Sequence, residues 1–390
     1  MLRYLNAGES HGPRLTAVLE GLPSGLDIDV EALNRELGRR QQGYGRGGRM
    51  KIERDRCEIT AGVRFGQTLG SPVCLNITNR DWENWQEKMS VTPKERNDSQ
   101  RVVRPRPGHA DLPGALKYNH RDIRNILERS SARETAIRVA VGAVCRQFLS
   151  HFGITINSHV IMIGGIWGRG YTERDRLVSP EDFWARAEKS KVRCVDEEAS
   201  KAMVARIDRA IADKDSVGGV FEVIVQGIIP GLGSHVHWDR KLDGLLAGSF
   251  MSIQAVKGVE IGLGFGYGIL SGSQVHDEIF CEDGAFSHHT NNAGGIEGGM
   301  SNGEDLVIRA VMKPIPTLRK PLHSVDIDTR QPEEAAYERS DVCAAPAAAV
   351  IGEAVAAYTI AQVLLEKFGG DSLRETKRNF DAYRKQIKEF

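Results

Sequence analysis

The chain has 390 residues, and its 52 Lys and Arg balance its 52 Asp and Glu, which gives a formal net charge of zero with histidine neutral. This length suits one large domain or two to three ordinary ones, and it can bury a substantial core. The balanced charge argues against a protein that binds nucleic acid or a membrane surface through its overall charge.

The cysteine pattern and the apolar runs restrict the environment of the protein. Six cysteines are scattered without a CxxC pair and mostly lie in apolar runs, which predicts reduced, structural thiols in a cytosolic protein. The N-terminus lacks the apolar segment of a signal peptide. We expect no apolar run to approach the length of a membrane span, and we predict no metal site.

The first part of the chain predicts a strand, a glycine-flanked histidine and a helix. His11 lies between Gly8 and Gly12 just after the opening strand, where backbone can approach a ligand closely. An isolated turn histidine of this kind more often has no role. Residues 27–40 predict a helix with Asp29 as its N-cap, because apolar residues follow at helical spacing.

A glycine-rich segment follows this helix, and residues 43–48 match the spacing GxGxxG. We reject a dinucleotide-binding fold here, because the motif follows a helix rather than a strand and no βαβ unit surrounds it. We interpret it as a mobile loop whose arginines, Arg40, Arg46 and Arg49, can close over an anion. The competing interpretation is a solvated basic loop.

Basic charge is concentrated in two stretches of the chain. Residues 35–56 hold eight Lys or Arg against three Asp or Glu, and residues 101–138 hold nine against four. The second stretch also places His109 near Asp111, and Ser131 and Glu134 have capping-box spacing before a helical pattern over 134–152. An arginine in the first turn of a helix, among free backbone N–H groups, makes an anion site. This stretch therefore predicts chemistry on a phosphorylated or multiply anionic small molecule.

The second half of the chain mixes strands with long helices. Apolar patterning predicts strands over 154–167, 217–229, 256–263 and 306–311, and helices over 179–213, 242–253 and 346–368, with a last polar helix starting near Ser372. Without an internal repeat or a composition break, this predicts one α+β domain over residues 1–390.

Several motifs, in order along almost the whole chain, together resemble the chorismate synthase family. They are Gly8-Glu9-Ser10-His11-Gly12, Arg39-Arg40 with Gly47-Gly48-Arg49, Arg106-Pro107-Gly108-His109-Ala110-Asp111, Ser130-Ser131-Ala132-Arg133-Glu134-Thr135, Asn292-Ala293-Gly294-Gly295, Lys313-Pro314-Ile315-Pro316-Thr317 and Arg339-Ser340-Asp341. The resemblance implies a β-α-β sandwich with helices packed between antiparallel sheets, without a Rossmann domain, assembled as a homotetramer.

The resemblance also implies a reaction. Family members convert 5-enolpyruvylshikimate 3-phosphate to chorismate and phosphate by an anti 1,4-elimination, the last step of the shikimate pathway. Reduced FMN is required although there is no net redox change. NADPH is expected to act as an indirect reductant through a separate flavin reductase, because the chain is too short for an added reductase domain. Direct NADPH contact at Arg40 and Arg46 is left open.

Roles follow by resemblance, residue by residue. Substrate binding is implied for Ser10, Arg40, Arg46, Arg49, Arg106, Arg133 and Arg339. His11 is implied to protonate or hydrogen-bond the leaving phosphate, and His109 to favour the anionic reduced flavin, although which histidine serves which group is left open. Asp341 is implied to lie near flavin N5 and to help it accept the ring proton.

The same resemblance implies the FMN-binding residues. They are Arg129, Ser130, Ser131, Gln254, Ala255, Gly298, Lys313, Pro314, Ile315, Pro316, Thr317 and Arg339. Hydroxyl and N–H groups at a helix start suit a phosphate or polar flavin edges. The residue pattern alone would not have suggested Gln254, Ala255 or residues 314–317.

Two other classes of function were weighed. A nucleic-acid-binding protein could use the basic loops, but the arginines lack interleaved aromatic residues and the overall charge is zero. An NAD(P)-dependent oxidoreductase would oxidise NAD(P)H stoichiometrically with the substrate, which a lyase does not do.

Overall fold

The computed structural model describes residues 1–47, 54–93, 97–175, 177–282, 284–338 and 340–390. Within these ranges the α-helices are α1 Val30–Gln41, α2 Asp111–Tyr118, α3 Arg124–Ser130, α4 Thr135–Ser150, α5 Pro180–Lys189, α6 Glu197–Ala212, α7 Leu242–Met251, α8 Gly272–Val275, α9 Ala345–Phe368 and α10 Leu373–Glu389. The strands are β1 Arg3–Ala7, β2 Arg14–Glu20, β3 Cys57–Ala61, β4 Val63–Arg64, β5 Gln67–Thr68, β6 Val73–Thr78, β7 Thr155–Ile163, β8 Ile166–Trp167, β9 Gly219–Gln226, β10 Val256–Ile261, β11 Ile279–Glu282, β12 Ala285–His288, β13 Ile296–Glu297, β14 Met300–Ser301, β15 Leu306–Met312, β16 His323–Val325 and β17 Pro332–Glu334.

Two antiparallel sheets enclose the central helices. The first sheet has the strand order β1-β2-β6-β3, and the second has the order β10-β15-β9-β7-β8. Strand β2 alternates between the core and solvent, with Leu15, Ala17 and Leu19 buried, as expected for a sheet with one covered face. The remaining strands form short two-stranded hairpins.

Helices α4 and α9 fill the space between the sheets. Helix α4 packs on β2 and β6 of the first sheet, α9 packs on β7 and β9 of the second, and the two helices pack on each other. They approach closely because Gly142 of α4 lies against the backbone of Ala354 in α9. The main core extends from Leu2 to Phe380. The expected α+β sandwich without a Rossmann domain is therefore confirmed.

The expectation that no apolar run approaches the length of a membrane span was wrong for one helix. Helix α9 has 24 residues and is long and apolar enough to cross a membrane, but 83% of its most apolar window is buried inside the protein. The helix is apolar around its whole circumference, as expected for a core helix that other elements cover on every side.

The helix start near Ser131 also differs from the expected capping box. The Ser131 hydroxyl accepts a hydrogen bond from the Arg133 N–H at 3.3 Å, so the cap is present. The Glu134 carboxylate accepts instead from the side chains of Asn6 and Gln254. A 3-10 turn over Ala132–Glu134 precedes α4, and Glu134 is thus a cross-link between elements rather than a cap.

Candidate active site

The loop that carries His11 is docked on α3. Gly8 has φ +114°, and a Cβ there would collide with the Arg14 carbonyl oxygen, so the tight bend needs glycine. The Ser10 N–H donates to the Glu128 carbonyl at 2.9 Å, and the His11 N–H donates to the Glu128 carboxylate at 2.8 Å. These two backbone hydrogen bonds therefore fix the positions of the Ser10 and His11 Cα atoms on α3.

The His11 ring is held on its edge and on its face. Its Nδ1 lies 2.9 and 3.0 Å from the two Glu128 carboxylate oxygens, and Trp85 stacks on the ring at 3.7 Å between centroids. Arg124 contacts the same carboxylate at 3.1 Å. Burial alone would raise the pKa of Glu128, but the bonds from His11 and the charge of Arg124 outweigh it and lower the pKa. Glu128 is therefore an ionised hydrogen-bond acceptor.

Two of the expected substrate arginines meet at one buried carboxylate. Arg133 Nη1 lies 2.6 Å from Asp55 Oδ2, and Arg40 Nη1 lies 3.8 Å from the same oxygen. Arg40 also donates to the Thr135 hydroxyl and to the Ala132 carbonyl, both at 2.9 Å. The Ser131 hydroxyl donates to Ser10 at 3.2 Å, which joins this pair of arginines to the His11 loop.

The second expected histidine belongs to a separate carboxylate cluster. His109 Nδ1 lies 2.5 Å from Asp111 Oδ1, and Arg106 donates to Asp111 through its backbone N–H, Nε and Nη2 at 3.0, 2.8 and 3.1 Å. Burial would raise the pKa of Asp111, but the hydrogen bonds from His109 and Arg106 hold it well below its ordinary value. Arg106 also donates to Thr317 at 3.1 Å, and the Lys313 ammonium donates to the Gly108 carbonyl.

Asp341 lies against the loop that carries Arg46. Its carboxylate contacts Arg46 Nη1 at 3.1 Å and accepts from the Gly47 N–H at 2.7 Å. The Val217 N–H donates to the Val342 carbonyl, and the neighbouring Ser216 hydroxyl donates to the Ile315 carbonyl. The adjacent residues Ser216 and Val217 therefore connect the Asp341 segment to the Lys313–Thr317 segment in space, although the two segments are separated in sequence.

A series of contacts links several of the expected flavin-binding residues. Arg129 donates to Asn6 at 2.7 Å, Asn6 donates to Glu134 at 2.9 Å, and Gln254 donates to Glu134 at 2.8 Å. The Lys313 N–H donates to the Ala255 carbonyl at 2.9 Å. Through the Lys313–Gly108 and Arg106–Thr317 contacts this series reaches the His109 cluster, so residues expected to bind flavin contact residues expected to bind substrate.

Some expected site residues stand apart. Gly298 lies in the turn between β13 and β14, next to the start of α7, where the Leu242 N–H donates to the Gly299 carbonyl. Gln254 follows the other end of that ten-residue helix, about 15 Å away at 1.5 Å per residue. Ser130 donates back to the Ile126 carbonyl of its own helix. Arg49 and Arg339 lie outside the described residues.

Sequence reasoning missed three contributors to this site. Glu128 immediately precedes the Arg129 motif, Trp85 lies in the polar stretch 79–100, and Asp55 lies in the basic stretch 35–56 as one of its few acids. Each acquires its role from a partner distant in sequence: His11 for the first two and Arg133 for the third. A buried carboxylate needs such a partner, but spacing along the chain does not reveal it.

His11 and His109 are each held by a carboxylate, and two buried arginines meet at Asp55. Such side chains suit an enzyme that acts on an anionic small molecule. The family model for chorismate synthase matches residues 2–365. The chain belongs to the chorismate synthase family, and it is accordingly a lyase.

Similar proteins agree over the full length. Chorismate synthases from Geobacter metallireducens and Brevibacillus brevis are 59% and 56% identical, and each alignment covers 100% of both chains. A crystal structure of a chorismate synthase superposes with a TM-score of 0.81 at 45% identity, covering 100% of this chain and 99% of that one. These matches support neither the nucleic-acid-binding nor the oxidoreductase alternative.

Proposed function

We propose that the chain catalyses the anti 1,4-elimination of phosphate from 5-enolpyruvylshikimate 3-phosphate to give chorismate, with reduced FMN as cofactor. The observation that supports this proposal is that both motif histidines are held by residues of the 106–134 segment, His11 by Glu128 and His109 by Asp111 beside Arg106. The full-length family match supplies the reaction.

The substrate has two carboxylates and a phosphate, so its site requires positive charge. We assign its binding to Ser10, Arg40, Arg46, Arg49, Arg106, Arg133 and Arg339. The placement of Arg40 and Arg133 supports this role, because both guanidinium groups are pre-oriented at Asp55 rather than free to rotate. Arg106 has fewer donors left for a substrate, since Asp111 and Thr317 accept most of the hydrogen bonds from its side chain.

Proton transfer is assigned to His11 and Asp341, and a stabilising charge is assigned to His109. His11 donates a proton or a charged hydrogen bond to the leaving phosphate. Asp341, next to Arg46, helps to receive the proton that leaves the ring. His109, held by Asp111, places positive charge where reduced flavin carries negative charge. A positioned acid or base of this kind contributes roughly 10²–10⁴-fold to a rate.

The described residues fit an FMN group. The Oε1 atom of Gln254 is buried and has no hydrogen-bond partner among the residues that the structure describes. Burial and the charge of Lys257 both lower the pKa of Lys313, and within the described ranges no carboxylate pairs with the Lys313 ammonium. The Gln254 oxygen suits a ring N–H donor. The Lys313 ammonium, which has only a carbonyl as its described partner, suits a negative charge.

We assign FMN binding to residues 129–131, Gln254, Ala255, Gly298, residues 313–317 and Arg339. When bound, reduced FMN supplies electron density to the substrate and recovers it, so that the elimination has no net redox change. The chain's own residues then hold the substrate and exclude water, while His11 gives a proton or a hydrogen bond to the leaving phosphate and Asp341 helps to receive the ring proton.

An anaerobic assay tests the proposal. The protein is mixed with photoreduced FMN and the enolpyruvyl substrate, and both phosphate and chorismate are measured. We expect the two products in equal amounts, with no product when FMN stays oxidised. The absence of chorismate with reduced FMN would overturn the assignment.

The surroundings of the enzyme are part of the same proposal. We infer a single domain over residues 1–390, a cytoplasmic location and a homotetramer, with FMN reduced by a separate NADPH-dependent reductase. The core that extends from Leu2 to Phe380 supports the single domain, and six unpaired cysteines suit a reducing compartment. Apolar side chains exposed on residues 264–288, among them Phe265, Ile269 and Ile279, offer a surface for assembly.

A further inference from the structure

We propose that Glu128 is a positioning residue for His11: its carboxylate keeps Nδ1 protonated and turned inward, so that the Nε2–H is the group presented to the leaving phosphate. This inference rests on the proposed function. It adds a residue to which neither the family resemblance nor the motifs gave a role.

The geometry is that of a dedicated orienting carboxylate. Glu128 Oε2 accepts from the His11 backbone N–H at 2.8 Å and lies 2.9 Å from its Nδ1, so one oxygen fixes both the backbone and the ring of the same residue. The Glu128 side chain is 1% exposed and that of His11 is 14% exposed. Water therefore competes little with this contact.

The chemistry of the partners determines where the proton lies. An ionised carboxylate is only an acceptor, and of the two ring nitrogens Nδ1 is the one beside it. Nδ1 must then carry hydrogen in either protonation state of the ring. A proton that leaves for the phosphate comes from Nε2, and the carboxylate stabilises the imidazolium before that transfer.

Trp85 completes the arrangement by covering the ring face. The two rings lie 3.7 Å apart with an interplanar angle of 25°, which restricts rotation of the imidazole. Among the residues that the structure describes, the charged groups around the pair include Glu128 and Arg124 from α3, Lys88 over the Trp85 ring, Asp81, which accepts from Trp85 Nε1 at 3.0 Å, and Glu338 through its 3.6 Å contact with Arg124. Glu128 contacts the imidazole directly, whereas Glu338 acts on it only through Arg124.

The test compares Glu128→Gln and Glu128→Asp with the wild-type enzyme in the anaerobic assay across pH. The amide of Glu128→Gln keeps the volume and an acceptor for the His11 N–H but removes the charge. We expect kcat to fall about 10–100-fold. We also expect the high-pH limb of the profile, where the proton donor is lost, to move to lower pH, because the imidazolium loses its carboxylate.

Glu128→Asp restores the charge with a shorter side chain, and we expect it to recover part of the rate and the wild-type position of the high-pH limb. Glu338→Gln is the matched control, because it removes the other carboxylate beside Arg124, and its profile should not move. Thermal unfolding and FMN binding show that each variant is folded. If Glu128→Gln does not fold, the pH profile of Glu128→Asp alone tests the proposal. A high-pH limb of Glu128→Asp that lies at lower pH than in the wild-type enzyme would contradict it.

Two outcomes are distinct. If the wild-type enzyme forms no chorismate, the proposed function fails. If the wild-type enzyme is active and Glu128→Gln turns over within about threefold of it with an unmoved limb, Glu128 has only a structural role and the inference is wrong.

Discussion

His109 and Asp111 form a histidine–carboxylate pair two residues apart, and the chain contains a second pair with the same spacing. His237 Nδ1 lies 2.7 Å from Asp239 Oδ1, but their side chains are 60% and 54% exposed. The side chains of His109 and Asp111 are only 16% and 1% exposed, and Arg106 bonds to the same carboxylate. Burial and the shared arginine, rather than the spacing, distinguish the pair in the site.

The two pairs provide a matched test of the role of His109. We expect His109→Ala to lower kcat by about 100-fold or more, because the positioned imidazole is lost. His237→Ala should leave kcat unchanged, since an exposed pair contributes little. Steady-state turnover with reduced FMN measures both, and near-normal turnover of His109→Ala would exclude an acid–base or charge role for that residue.

At the scale of single elements, α9 carries an ion-pair hub that holds other elements to it. Glu353 is fully buried and contacts Arg39 of α1, Arg146 of α4 and Arg193, and it accepts from the Ser158 hydroxyl of β7 at 2.6 Å. Burial would raise the pKa of Glu353, but the arginines outweigh it and hold the pKa well below its ordinary value of 4.5. The hub therefore depends on the ionised carboxylate.

We expect Glu353→Gln to destabilise the fold by about 3–5 kcal/mol at neutral pH, because it leaves several arginines without their buried partner. The lowered pKa means that this stabilisation is complete above pH 4.5 and is lost as the pH falls through the folded-state pKa. The difference from wild type in urea unfolding should therefore shrink as the pH is lowered below 4.5.

Glu366→Gln on the same helix is the control, since Glu366 pairs with Arg240 at 2.8 Å with both side chains 53% exposed. Its effect should stay below about 1 kcal/mol. An equal loss of stability in the two variants would mean that burial is not the cause.

The crossing of α4 and α9 makes a second prediction. A Cβ at Gly142 would overlap the backbone of Ala354, whereas a Cβ at Gly38 in α1 meets nothing within 4 Å. We expect Gly142→Ala to destabilise by about 1–3 kcal/mol through overpacking, and Gly38→Ala to stabilise by about 0.4–1 kcal/mol. Chemical unfolding of both variants measures the difference, and the interpretation fails if the two changes have the same sign.

The elements differ in how far the sequence could predict them. Helix α1 with its Asp29 cap and the long helix α4 follow from periodic apolar positions, and α9 follows from a long Ala-rich run. Helices α2 and α3 were missed because they span only eight and seven residues and begin without a side-chain cap. In the site, motifs pointed to His11 and His109, but Glu128 and Trp85 depend on contacts that only the folded chain creates.

At the scale of the whole molecule, the proposed homotetramer predicts a mass in light scattering of four times the chain mass of 43.0 kDa. Ile269 is 86% exposed in the single chain, and we expect Ile269→Asp to lower the mass by removing apolar contact area. Val236→Asp, at a position 71% exposed outside residues 264–288, should keep the wild-type mass. A wild-type mass of one chain would contradict the assembly.

The central position of α9 has a consequence for biosynthesis. The helix that separates the two sheets begins at Ala345 and follows β1 to β17 in the chain, so it leaves the ribosome after every strand that it covers. Until it emerges, the inner faces of β7 and β9 lack their cover, and α4 lacks its partner. Nascent chains with exposed apolar surface are prone to aggregate. We therefore expect the core to close only after α9 has emerged, and chains truncated before residue 345 to be recovered with chaperones rather than as a smaller folded domain.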